Sequence, residues 1–153
     1  MKKIVLTIAA LIGFASLNAA FAAGEMMHHG NHQHEMNMTD TRTSLGLSAQ
    51  MKQHQLSNMR GHLEAIQSIV GLIAENKLEE ASGIAHTRLG LTPEMQAMCS
   101  MMGNENYKKM GFAFHKSGDD LGAVLKTGDV NASLRALNKT MQYCVGCHAT
   151  FRQ

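Results

Sequence analysis

Residues 141–153 read MQYCVGCHATFRQ, and their spacing governs how the rest of the chain is read. Counting back from Phe151, the positions His148, Cys144, Met141, Leu137, Leu134 and Val130 follow at intervals of 3, 4, 3, 4, 3 and 4. This is the seam of a helix packed on one face. Cys144 and His148 therefore fall where the pattern otherwise places apolar groups. Cys147, three residues from Cys144, lies about 60° around the helix on the same side. An imidazole and two thiols on the packed face of one helix call for a large partner inside the core.

The upstream sequence has the same character. A first helix is expected over 48–75, with Leu56, Met59, Leu63, Ile66, Val70 and Ile73 at intervals of 3, 4, 3, 4 and 3. A second is expected over 77–89, with Leu78, Ala81, Ile84, Ala85 and Leu89 inward and Gly90 closing it. Thr92 and Pro93 read as the N-cap and first position of a short helix. A third long helix is expected over 105–126, with Tyr107, Met110, Phe114, Leu121 and Leu125 on one side. Gly128 then stops it, and Asp129 caps the helix that carries the cysteines. No alternating strand pattern is present. The expectation is an all-α, antiparallel four-helix bundle occupying 46–153.

The N-terminus reads differently. Lys2 and Lys3 precede the short apolar run IVLTIAALIGFASL, and Ala20 and Ala22 stand at the small-residue positions of a cleavage site. Residues 1–22 are thus expected to be a signal peptide cut after Ala22, sending the chain to a periplasm. The full chain has 14 basic and 12 acidic residues; without Lys2 and Lys3 the two signs balance. Such a chain lacks the basic excess that nucleic acid requires. Residues 23–45 hold His28, His29, His32 and His34 with Met26, Met27, Met36 and Met38, and show no apolar periodicity. They are expected to be a flexible segment, with imidazole and thioether donors that suit copper.

Four readings compete for Cys144-x-x-Cys147-His148. Structural zinc requires four ligands, and only Cys99 and scattered histidines are available to complete the set. A redox disulfide of the thioredoxin kind wants its C-x-x-C at a helix start in a βαβ context, whereas here it ends a helical chain. An inert pair leaves the spacing unexplained. A c-type haem accounts for each residue: Cys144 and Cys147 as thioether tethers and His148 as the proximal iron ligand.

With that motif near the C-terminus of a helical bundle, the chain resembles the cytochrome c′ family, including its low-spin cytochrome c-556 members. CVGCHATFR matches the family's C-x-x-C-H-x-x-Y-R with Phe151 in place of tyrosine. KQHQLSNMRGH matches R-Q-x-x-L-x-x-M-x-x-H at Gln53, Leu56, Met59 and His62, with Lys52 replacing arginine. The resemblance implies one covalent haem c and one-electron transfer with a partner protein. It also implies that Leu56 covers the distal face of the haem. An apolar residue there leaves an open site for NO or CO, whereas Met59 or Met51 as a sixth ligand gives a closed electron carrier. Lys52 is implied beside the haem propionates and Arg152 on the proximal side. Family members often dimerise, and a homodimer is possible here. No enzyme activity is implied.

Other features carry plainer expectations. Met95, Met98, Cys99, Met101 and Met102 read first as core packing, with copper binding as the sharper reading. Cys99 is expected to be a buried free thiol, with a disulfide across a dimer as the alternative. His54 is turned away from Leu56. His62, His86 and His115 are expected to be solvated or hydrogen-bonded and not metal ligands.

Overall fold

The computed structural model describes residues 39–153, which form one compact unit. The signal-peptide reading and most of the His/Met-rich segment lie outside the described residues. Within them the chain is all-α apart from two two-residue strands. In order come β1 (Thr43–Ser44), α1 (Ala49–Ala74), α2 (Leu78–Ile84) continuing into a π-helical turn (Ala85–Leu89), α3 (Pro93–Ser100), α4 (Glu105–Leu125), α5 (Val130–Thr150) and β2 (Phe151–Arg152). No described helix is long and apolar enough to cross a membrane.

Side-chain caps start four of the helices. Ser48, Thr92, Asn104 and Asp129 accept hydrogen bonds from the amides of Met51, Met95, Tyr107 and Ala132. Each cap satisfies one of the amides that a helix start leaves free, worth about 1 kcal/mol. Between α4 and α5 the chain turns through Gly128 at φ +79°, and between α1 and α2 through Asn76 at φ +58°.

The core gathers Ala65, Ile66, Ile69 and Ile73 of α1, Leu78, Ala81, Ala85 and Leu89 of α2 and its π turn, Phe114, Leu121 and Leu125 of α4, and Leu137 of α5. Each fully buried Leu or Ile contributes about 1.5–3 kcal/mol. α4 packs most extensively against α5 and also against α2 and its π turn. The last contact is very close: a Cβ on Gly118 would lie 2.5 Å from the Leu89 carbonyl oxygen, so only glycine admits the π turn there.

Three expectations are corrected. First, the buried faces of α1 and α5 are rotated from the predicted seams. On α5 the buried residues are Ser133, Leu137 and Thr140, while Leu134 and Met141 are exposed. On α1 Leu63 and Val70 are exposed. Hydroxyl side chains turn out to be core residues because they satisfy themselves locally: Ser133 donates to the Asp129 carbonyl and Thr140 to those of Ala136 and Ser117. Second, α5 stops at Thr150. Phe151 is extended and pairs in parallel with Thr43, as Arg152 does with Ser44. Third, described residues ahead of 46 also pack with the helices. Leu45 and Leu47 pack against the cluster of Met102, Tyr107 and Phe151, and Arg42 donates to the His148 carbonyl at 3.2 Å. Gly90 closes the π turn in an extended conformation, φ −68°, not in the left-handed one.

Candidate functional site

α1, α3, α4 and α5 enclose a cavity of about 430 Å³, in the range of small-ligand and cofactor sites. The last turns of α5 supply Cys144, Cys147 and His148 to its wall. α1 supplies Leu56 and Met59, with His62, Leu63 and Ile66 farther along. The structure thus brings five of the seven predicted site residues to one space. The two others lie elsewhere. Lys52 donates from Nζ to the backbone oxygen of Gln153 at 3.3 Å, and the Arg152 guanidinium stands 3.8 Å from the Asp40 carboxylate. Neither lines the cavity.

Cys144 and Cys147 are free, half-buried thiols. Burial pushes both above the ordinary thiol range, and for Cys147 the neighbouring Cys144 adds to this. Both therefore favour the protonated thiol at neutral pH. His148 is exposed at the cavity's edge, and its carbonyl is held by Arg42. A cation on one of the last free carbonyls of a helix is favourable both as a hydrogen bond and against the helix dipole.

The floor of the cavity comes from α4. Tyr107 is buried, packs edge-on against Phe151 at 5.4 Å, and its hydroxyl accepts from Gln55 of α1. Burial, then the nearby Cys147 and Cys99, raise the Tyr107 phenol well above its ordinary range, so it remains a neutral hydroxyl. Deeper in, the ring of His62 lies 4.9 Å from that of Phe114 and 5.4 Å from that of His115. Burial, then His115 and Arg88, push His62 down to about 4. His115 is lowered by burial, and its Nδ1–H donates to the Leu89 carbonyl at 2.9 Å. Both imidazoles are neutral at pH 7. His86 sits apart, with Nδ1 3.0 Å from the Asp119 carboxylate.

The methionines of α3 prove to be cavity wall. Met95, Met98, Cys99 and Met102 all line it, whereas Met101 is exposed. Their spacing at i, i+3, i+4 and i+7 marks one helical face in the sequence, but it does not say which space that face meets. His62 and Tyr107 belong to the same wall. The signal for Tyr107 was its place on the inward stripe of α4; His62 had none beyond its register with Met59.

The site is lined chiefly by apolar and thioether groups, with two thiols and an imidazole at one edge, a lining that suits an apolar guest. Among the described residues, no three His, Cys, Asp or Glu side chains gather as a metal cage. Comparison of the chain with models of known families, with curated proteins and with solved structures finds no match.

Proposed function

We propose that the chain is a periplasmic monohaem c-type cytochrome of the cytochrome c′/c-556 class, an antiparallel four-helix bundle that transfers single electrons. The observation that carries the reading is that Cys144, Cys147 and His148 open onto the same cavity as Leu56 and Met59. The residues fit the group: Cys144 and Cys147 would hold it through two thioethers, and His148 would ligate the iron. When bound, a haem supplies a one-electron couple and, where its sixth position is free, a site for a diatomic ligand. Leu56, Met59, Ile66 and Phe114 give the cavity an apolar wall, against which a bound haem would be shielded from water. Arg42 fixes the last turn of α5, and with it the direction in which His148 projects.

A second reading within the same class is an open gas-binding site. Leu56 favours it, since this cavity residue has no donor atom. The deciding experiment is the optical spectrum of the purified protein, oxidised and reduced, with and without CO, beside a pyridine-haemochrome assay. A sharp reduced α-band unchanged by CO is the electron carrier with a sixth protein ligand. A high-spin spectrum that shifts with CO is the open site. A preparation without haem sinks both.

A further inference from the structure

The sulfur face of α3 lines the same cavity, but that proposal uses none of its donor atoms. Met98 is buried, and two side chains of α1 point at its thioether. His54 Nε2 lies 2.9 Å from Met98 Sδ, and Asn58 Nδ2 lies 3.7 Å from it. His54 and Asn58 are one turn apart on α1, so that helix aims an imidazole and an amide at one sulfur. Met95 stands one turn before Met98 on α3, and Met102 follows just past the end of that helix; both line the same cavity. The sequence had turned His54 away from the haem site; the structure gives it a different neighbour.

From this juxtaposition of His54 and Met98 we infer a cuprous-ion site at the junction of α1 and α3, with His54 Nε2 and Met98 Sδ as primary donors and the thioethers of Met95 and Met102 beside them. The donor chemistry selects the ion. Thioether sulfur with imidazole prefers soft Cu(I); magnesium and calcium need oxygen ligands, and structural zinc needs thiolate or several imidazoles. Every donor is neutral, so the complex carries only the single charge of the ion. A divalent ion would bring twice that charge against an apolar wall, where burial of charge is costly. His54 is exposed and gives the ion a route from solvent. The contacts the metal would replace, nitrogen donors on a thioether, are weak ones.

This site shares no donor with Cys144, Cys147 and His148, so its failure and that of the haem reading are distinguishable. The test uses the full-length protein as isolated, labelled with methyl-¹³C methionine. It is titrated anaerobically with Cu(I) against a cuprous chelator. The expected result is that methyl signals lost in the Met98→Leu variant, and those of its α3 neighbours, shift as one equivalent is taken up. His54→Ala, an exposed substitution that leaves the core intact, should weaken this uptake at least tenfold. The proposal is overturned if only methionines of residues 26–38 shift. It is equally overturned if Met98→Leu and His54→Ala take up copper with unchanged stoichiometry and affinity.

Discussion

Replacing Gly118 with alanine tests whether the close seat of the π turn on α4 sets the geometry of the cavity. A Cβ at residue 118 would lie 2.5 Å from the Leu89 carbonyl oxygen, 2.6 Å from its carbon and 2.8 Å from the Leu89 Cβ. These are backbone and fully buried atoms, so no flexible side chain can yield. Overpacking of this kind costs about 1–3 kcal/mol, and the gain in helix propensity from Gly to Ala returns at most about 1. The expected net loss is about 1–2 kcal/mol. Because the Leu89 carbonyl also holds His115, the displacement should loosen an imidazole on the cavity wall. Gly71→Ala is the control: it is also helical, in the last turn of α1, but nothing lies within 4 Å of its Cβ position. It should be neutral or stabilising by up to about 1 kcal/mol. Urea unfolding followed by circular dichroism reads both. Equal stability of Gly118→Ala and wild type, or equal losses in the two variants, would refute the packing argument.

Stability should also fall on acidification, because His62 and His115 are neutral in the fold. A histidine lowered from 6.5 to about 4 binds fewer protons folded than unfolded, so its contribution is intact above pH 6.5 and drains away toward pH 4. For His62 this amounts to up to about 3 kcal/mol; urea midpoints between pH 8 and 4.5 measure it, and His62→Phe should flatten the profile. Replacing both Cys144 and Cys147 with alanine should abolish haem that survives acid–acetone extraction and leave a chain that melts below the haem-loaded protein. A double variant that retains extraction-resistant haem would refute the assigned tethers. Met59→Leu should convert a six-coordinate spectrum to one that shifts with CO; an unchanged low-spin spectrum would remove Met59 as the ligand.

The helices and their caps were legible in the sequence because their signals are local. Thr92 and Asp129 are cap residues by chemistry, and α1 and α4 begin and end within a residue of expectation. What was not legible is which way each helix is turned. Apolar periodicity treats Ser133 and Thr140 as surface, yet their hydroxyls bond to nearby carbonyls and they pack against α4. The clasp of Thr43–Ser44 on Phe151–Arg152 joins residues more than a hundred positions apart, and two-residue strands leave no pattern to read. Cys144, Cys147 and His148 were found because their mutual spacing is itself the signal. The α3 methionines were singled out as a soft cluster, but neither the space they meet nor the place of His54 beside Met98 could be read, because both depend on which helix lies opposite.

The rotated seams and the cavity are two views of one feature. Leu63 is 69 % exposed and Met141 43 %, and both line the cavity, on α1 and α5 respectively. The sequence places them on packed seams, yet α1 and α5 make little direct contact with each other. Two apolar stripes that face a common space without closing on it are under-packed as they stand, since such surface is stabilising only once removed from water. A flat apolar guest between the helices, tethered from α5, would restore the role that the intervals of three and four assign to both stripes. On the proposed reading, then, the haem is the missing layer of the core. The same wedge that carries the electron would bury Leu56, Met59, Leu63 and Met141, so loss of the tethers should be felt in stability where these residues line the cavity, beyond the turn that bears the cysteines.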